Sequence, residues 1–502
     1  MAHAGSFAEV WGEIGHNAHP PLFYLLLRLA ALAGEDPLWL RAPSLLAGSL
    51  AALAGFALAR ELGGALAGWV AGLAIALSPG AIALSQVARP YALQLLVLLL
   101  AGLALARSAN GRSRRAAPAY AALLLLAVLL HYSSFLFAGA ALATLAGARL
   151  AGRLGARELR ALALAHAPAL LAMAALAALH AVPRVLASGL RQWAVEGWLE
   201  PFFPHGPGEA WRALVGALEY LTGPALALPA LLALLLSLAL AFARGAWLLA
   251  GLGSALLSLA LLAAALELYP LGCTRHAAHL AALVFPALGF GAGRLASLGP
   301  WRAAPGAALL LALAALPAPL AAAFGLREDR VRAHPELFLP RRAVEGWLAP
   351  RLRALGQEPG LLLMDQITAY TLTPLFRDAQ AGRAYREVDE LRSFAWGQRQ
   401  ALVAPTFFLV ANASQRGQPN HLASVLARIR AERPELLPAL EGDVRVLSAN
   451  GTHLYDALRG RRLRDLVDAV EVEAGALCLF RLRAGAYLAR AERRGPPPGA
   501  LE

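Results

Sequence analysis

Four short polar clusters interrupt a background of leucine and alanine. They are His16-Asn17-Ala18-His19-Pro20-Pro21, Ser85-Gln86-Val87-Ala88-Arg89-Pro90-Tyr91, His131-Tyr132-Ser133-Ser134, and Glu267-Leu268-Tyr269-Pro270 with Thr274-Arg275-His276. Arg89 and Arg275 carry the planar fork that clamps a phosphate through two hydrogen bonds. His19, Gln86, Tyr91, His131, Tyr132 and His276 bring donors and acceptors that a polar ligand could use. Each has an ordinary reading when taken singly. An arginine at a helix end snorkels to water. Tyr24, Tyr91, Tyr132 and Tyr269 could form an interfacial aromatic belt. Only their joint placement points to a ligand cavity.

That placement depends on the elements around them. The 502 residues are 59% hydrophobic and 15% charged, with a mean hydropathy of +0.56. A soluble domain carries about 25% charged residues, so this chain belongs in a bilayer. The net charge is +13 and the sequence contains no lysine. Schiff-base chemistry and the lysine of a phosphate-binding Walker loop are therefore excluded. The arginines are spread between apolar blocks rather than gathered on one basic face, which disfavours nucleic acid as a partner. Cys273 and Cys478 are too few for a metal cluster or a disulfide framework. His16 and His19 are spaced as a ligand pair, but proline follows and no third ligand is evident, so no metal site is assigned. No cleavable signal peptide is expected.

Apolar runs long enough to cross a membrane fall near 42–60, 65–85, 91–106, 117–131, 134–150, 162–182, 222–243, 246–268, 277–296 and 305–324. The stretch 21–33 is short, follows two prolines and reads as a surface-lying helix. Arg107, Arg112, Arg114 and Arg115 fill one loop; Arg149, Arg153, Arg157 and Arg160 fill the next alternate one. Arg60, Arg244, Arg294 and Arg302 fall on the same side if the spans alternate. Positive loops stay cytoplasmic, which sends all four polar clusters to the outer face. Three domains are expected: a partial outer loop over 1–20, an all-α polytopic membrane domain over 21–325, and a small extracytoplasmic α/β domain over 326–502. In the last, Gly360 to Asp365 reads as a strand entering a helix. Thr406 to Asn412 and Gly475 to Leu482 read as further strands.

The ordered motifs resemble the GT-C superfamily of glycosyltransferases. They are His19-Pro20-Pro21-Leu22-Phe23-Tyr24, Leu40-Arg41-Ala42-Pro43-Ser44, Leu77-Ser78-Pro79, Ser85 to Leu93, His131-Tyr132, and Tyr269-Pro270-Leu271-Gly272 with Thr274-Arg275-His276. Within that superfamily they look like the bacterial branch of protein O-mannosyltransferases, lipid A aminoarabinose transferases and Rhizobium lipopolysaccharide transferases. The resemblance covers roughly residues 6–290. It implies an enzyme of the cytoplasmic (inner) membrane that moves a sugar from a polyprenyl phosphate to a lipid, glycan or protein acceptor at the outer face, by a single inverting displacement. Arg89 and Arg275 would bind the phosphate; His19, Gln86, Tyr91, His131, Tyr132 and His276 would bind substrate. No cofactor is firmly implied, and a divalent cation stays open.

Members of this branch carry a first transmembrane helix and an Asp-Glu pair at the start of the first outer loop. Here the sequence resembles that loop only from Ser6 to Trp11, so a truncated N-terminus is expected. Glu9 and Glu13 are the carboxylates left in the segment, and neither matches the family position. Two other classes compete. One is a membrane assembly or binding protein without catalysis, favoured by the missing carboxylate. The other is a transporter of polar or lipid-linked solutes, which would be expected to show intramembrane carboxylates and inverted repeats.

Overall fold

The computed structural model describes residues 19–34, 37–113, 115–186, 202–297 and 299, and the strand segments 361–364, 444–448, 467–474 and 477–482. The chain divides into two compact units, Met1–Ala321 and Ala322–Glu502.

The first unit is helical throughout its described part. Twelve α-helices follow in order: α1 (Leu22–Ala33), α2 (Pro37–Gly63), α3 (Ala65–Leu77), α4 (Pro79–Ser85), α5 (Tyr91–Ala109), α6 (Ala116–Leu130), α7 (Ser134–Leu150), α8 (Ala156–Leu176), α9 (Pro207–Thr222), α10 (Ala227–Ala243), α11 (Trp247–Ala265) and α12 (Ala281–Ala296). Among the described residues, six helical segments are long and apolar enough to cross a membrane: Leu38–Gly63, Tyr91–Ala109, Ala156–Pro183, Pro224–Ala243, Trp247–Ala265 and Arg275–Ala296. The protein is a multi-pass membrane protein.

The apolar run 65–85, expected as one span, is bent by 59° between α3 and α4. Pro79 cannot continue the hydrogen-bond ladder of α3, but it fits the first turn of a new helix, where its missing N–H costs nothing. Ser78 caps that turn. Its Oγ accepts from Ala81 N at 3.1 Å and donates to Leu221 O on α9 at 2.6 Å. The helices α1, α6 and α7 are apolar but shorter than these six segments. The expected run 305–324 and the expected outer loop 1–18 lie outside the described residues.

Packing follows the small residues. α2 lies against α3 and α5, and α12 against α2, α3 and α10. Gly289 and Gly293, one turn apart on α12, meet α3 so closely that a Cβ on Gly293 would stand 3.1 Å from Gly63 O and 3.3 Å from Ala67 Cβ. Small residues at this spacing let membrane helices approach backbone to backbone. One buried polar pair ties α6 to α8 within the bundle. The His166 Nδ1–H donates to Leu162 O at 2.8 Å, so its Nε2 accepts from the Tyr120 hydroxyl at 2.9 Å.

Basic loops gather at one end of the helices. Arg107 and Arg112 both reach Glu61 at the end of α2, and Arg153 donates to Gly245 O at 3.3 Å. The other ends of the same helices carry the polar clusters. Tyr91 opens α5 and Arg107 lies in its last turn, about 24 Å away at 1.5 Å per residue.

In the second unit, four strands, β1 (Leu361–Met364), β2 (Val444–Ser448), β3 (Val467–Ala474) and β4 (Leu477–Leu482), form one sheet in the order β1-β2-β4-β3. β1 is parallel to β2, with Leu361 opposite Val444; β4 is antiparallel to both β2 and β3. β1 and β4 overlap two of the expected strands. The third, Thr406 to Asn412, lies outside the described residues.

Candidate functional site

The site is assembled by four chain breaks at the cluster-bearing ends of the helices. Pro20 and Pro21 deliver the chain into α1, where Tyr24 N and Leu25 N both bond Pro21 O, so the first turn closes directly on the proline. This leaves His19 just ahead of the helix and buries Phe23, Tyr24 and Leu27 on one face. The turn 86–90 joins α4 to α5 and holds Arg89. Ser44 on α2 donates to Arg89 O at 3.1 Å, which fixes the backbone from which the guanidinium projects. The turn 131–133 joins α6 to α7. The fourth break, 266–280, returns from α11 to α12.

That last segment has the least ordinary backbone. Glu267 stands at φ 54, the left-handed region that non-glycine residues seldom occupy. Leu268 N bonds Ala263 O at 2.8 Å and Glu267 N bonds Ala264 O at 2.9 Å. This is the helix-ending pattern that usually takes glycine at the left-handed position. It turns the chain so that Tyr269 enters the cluster. A short 3-10 helix, Arg275–Leu280, then carries Arg275, His276 and His279. Helix α9 holds this segment in place. A Cβ on Gly216 would come within 2.9 Å of Cys273 N, so only glycine permits the approach.

The rings interlock. His19 lies 4.9 Å from His131 and 5.8 Å from Tyr91 between ring centroids, and Tyr91 lies 4.8 Å from His131. Tyr269 stands edge-on to His131 at 6.1 Å, to His276 at 5.7 Å and to His279 at 5.6 Å. Two arginines act on this cluster from separate elements. Arg89 lies within hydrogen-bonding range of the Tyr24 hydroxyl, and Arg89 and Arg275 both act electrostatically on His19, Tyr24 and Tyr91. Arg275 is exposed and Arg89 half-buried, whereas Tyr91 and His131 are wholly covered. The site is thus a buried polar floor with a cationic rim.

Its electrostatics favour an anionic guest. Burial, followed by His131, Arg89, His276 and Arg275, holds His19 well below the usual imidazole value, so the ring is neutral near pH 7. Burial raises the Tyr269 hydroxyl above its usual value, so it too stays neutral. The remaining net charge near the floor comes from the two guanidinium groups. Among the described residues, no group of three or more His, Cys, Asp or Glu side chains could hold a metal ion. No Asp or Glu side chain among the described residues acts on His19, Tyr24 or Tyr91.

Among the described residues, several buried polar atoms have no hydrogen-bond partner: His19 Nδ1, Gln94 Oε1, His131 Nε2 and His279 Nε2. In a folded protein such atoms are rare and costly, and ligand-binding groups are one reason they persist.

Of the residues singled out in the sequence, Arg89, Arg275, His19, Tyr91, His131 and His276 come together here. Tyr132 does not join them; its hydroxyl is 2.5 Å from His180 Nδ1 and its ring packs on Phe135. Gln86 is exposed in the turn, and Glu9 and Glu13 lie outside the described residues. Sequence reasoning missed Gln94 and His279. Gln94 donates to Ser133 Oγ at 2.7 Å and to Ser134 Oγ at 2.9 Å, which ties α5 to the 131–134 turn. Each lies one turn beyond a residue that was noticed, Tyr91 and His276, and that helical spacing was the available signal.

The class the fold and site define is a multi-span helical membrane protein with a cationic, aromatic-lined polar site at one end of its helices. No protein-family model matches the sequence, and no curated protein matches it. Among solved structures the chain is similar to ArnT from Cupriavidus metallidurans bound to undecaprenyl phosphate. The TM-score is 0.43 and the identity 16%, over 95% of this chain and 93% of that one. The apo state of the same protein gives a TM-score of 0.42 at 16% identity, over 95% and 92% of the two chains.

Proposed function

We propose that this chain is a glycosyltransferase of the cytoplasmic membrane that takes a sugar from a polyprenyl phosphate at the outer face. The observation that carries the reading is the convergence of Arg89 and Arg275 on His19, Tyr24 and Tyr91, at the helix ends opposite the basic loops. A lipid phosphate sits at a membrane surface, where helix ends lie, and two guanidinium forks would both hold it and stabilise it as a leaving group. The ordered motifs that resemble GT-C transferases support the same reading.

The chemistry divides among the parts. The arginines take the growing negative charge of the departing phosphate, and the neutral rings below them hydrogen-bond the sugar. An acceptor hydroxyl needs a base as the bond forms. The resemblance gives that role to a carboxylate of the first outer loop, and the described residues supply none in the cluster.

The test is release of free undecaprenyl phosphate from radiolabelled undecaprenyl phosphosugars, in membranes of cells expressing the chain. This product reports transfer whatever the acceptor. Expression should raise release, and Arg89→Ala or Arg275→Ala should abolish the increase while the protein still accumulates in the membrane. Full activity in both variants would remove the pair from the site. A chain that binds such lipids but never releases the carrier would favour the binding-protein reading.

A further inference from the structure

Hydrogen bonds fix the tautomers of two histidines on the floor of this site. At His131, the Ser133 backbone N–H donates to Nδ1 at 3.1 Å. That nitrogen therefore presents its lone pair, and the neutral ring carries its hydrogen on Nε2. Ser133 Oγ, 2.9 Å from the same Nδ1, accepts from Gln94 and has its own hydrogen to give. At His279 the arrangement is reversed. Its Nδ1 lies 2.9 Å from His276 O, a carbonyl that can only accept, so Nδ1 holds the hydrogen and Nε2 the lone pair. Both residues are 1% exposed, and both Nε2 atoms lack a partner. Both rings stand edge-on to Tyr269, and His279 acts electrostatically on His131.

One unspent N–H and one unspent lone pair therefore lie within the same buried cluster around Tyr269. An anion would satisfy only the donor, and a cation only the acceptor. A hydroxyl satisfies both, whether it belongs to a bound ligand or to a water that the ligand displaces. We infer that His131 and His279 form a donor–acceptor pair of fixed, opposite tautomers that reads a hydroxyl of the sugar on the polyprenyl phosphate. This inference rests on the function proposed above. The sugar is the nearer source because it is bonded directly to the phosphate. His131 lies against Tyr91, whose hydroxyl stands beside the Arg275 guanidinium. A hydroxyl of the acceptor has the same chemistry and is the alternative source.

The test is equilibrium binding of radiolabelled lipids to the purified full-length chain. The probes are bare undecaprenyl phosphate and the same carrier bearing glucose, mannose or galactose. The wild type should bind at least one sugar-bearing lipid more tightly than the bare carrier. His131→Phe and His279→Phe should each cut that ratio about tenfold, the worth of one buried hydrogen bond. His131→Gln and His279→Gln, which return an amide donor or acceptor near the lost Nε2, should restore part of it. Should a phenylalanine variant fail to fold, monodeoxy versions of the preferred lipid decide on the wild type, since removing one hydroxyl must then cost about tenfold. Ratios unchanged in the phenylalanine variants assign the hydroxyl elsewhere and overturn the inference, as does a monodeoxy series without loss. A wild type that binds the bare carrier but shows no preference for any sugar also overturns it. Binding of no lipid at all overturns the proposed function itself, and so distinguishes the two failures.

Discussion

Arg89 and Arg275 were conspicuous in the sequence because a charge at the edge of an apolar run is expensive unless it meets water or a partner. Their value should lie in geometry as well as charge. Arg89→Lys keeps the cation but loses the planar fork, so lipid-phosphate affinity should fall by about tenfold, less than for Arg89→Ala. Equal affinities for arginine and lysine would mean the site uses only a point charge. His19 gives a pH prediction. Its folded-state value is depressed, so between that value and about 6.5 the unfolded chain binds the extra proton. Stability is then full above pH 7 and is lost as the pH falls, at up to about 1.4 kcal/mol per pH unit. Denaturation midpoints in detergent should drop between pH 7.5 and 5.5, and His19→Gln should flatten the slope; an unchanged slope would contradict the assignment. What the sequence hid at this scale were Gln94 and His279. Both sit inside apolar runs read as spans, where a polar side chain first looks like an interruption rather than a site.

The elements owe their site-forming ends to residues that break helices. Helix α4 was hidden in the run 65–85, where Ser78-Pro79 looks like a kink in a continuous span. Capping decides otherwise, since Ser78 both caps α4 and bonds α9. Ser78→Ala should cost about 1–2 kcal/mol, read as a lower denaturation midpoint with secondary structure retained. Gly216 tests how α9 positions the Arg275 segment. Its missing side chain admits the Cys273 backbone, so Gly216→Val must push that segment outward and weaken lipid binding along with stability. A valine variant with wild-type lipid affinity would show that α9 does not position Arg275. The short helix α1 matches the expectation of a proline-started element too short to span, because its two prolines define where it begins.

At the scale of the whole molecule, the change in composition near residue 325 was plain in the sequence, and the chain divides at Ala321. The strands were less so. β1 and β4 are apolar runs that stand out, whereas β2 and β3 alternate valine with charged residues and resemble solvated loops. The proposed orientation, with the arginine-rich loops inside, predicts opposite exposure of two loops. In variants with a single cysteine, native Cys273 should react with an impermeant maleimide from outside intact cells, and Ser113→Cys only after the membrane is breached. The reverse pattern would put the site on the cytoplasmic side.

The most direct test of the central claim is the amount of undecaprenyl phosphate bound by the purified chain at saturation, compared with the Arg89→Ala, Arg275→Ala double variant. One lipid per chain, displaced by excess unlabelled carrier and lost when both arginines are removed, is the predicted result. Equal binding by the wild type and the double variant would contradict it.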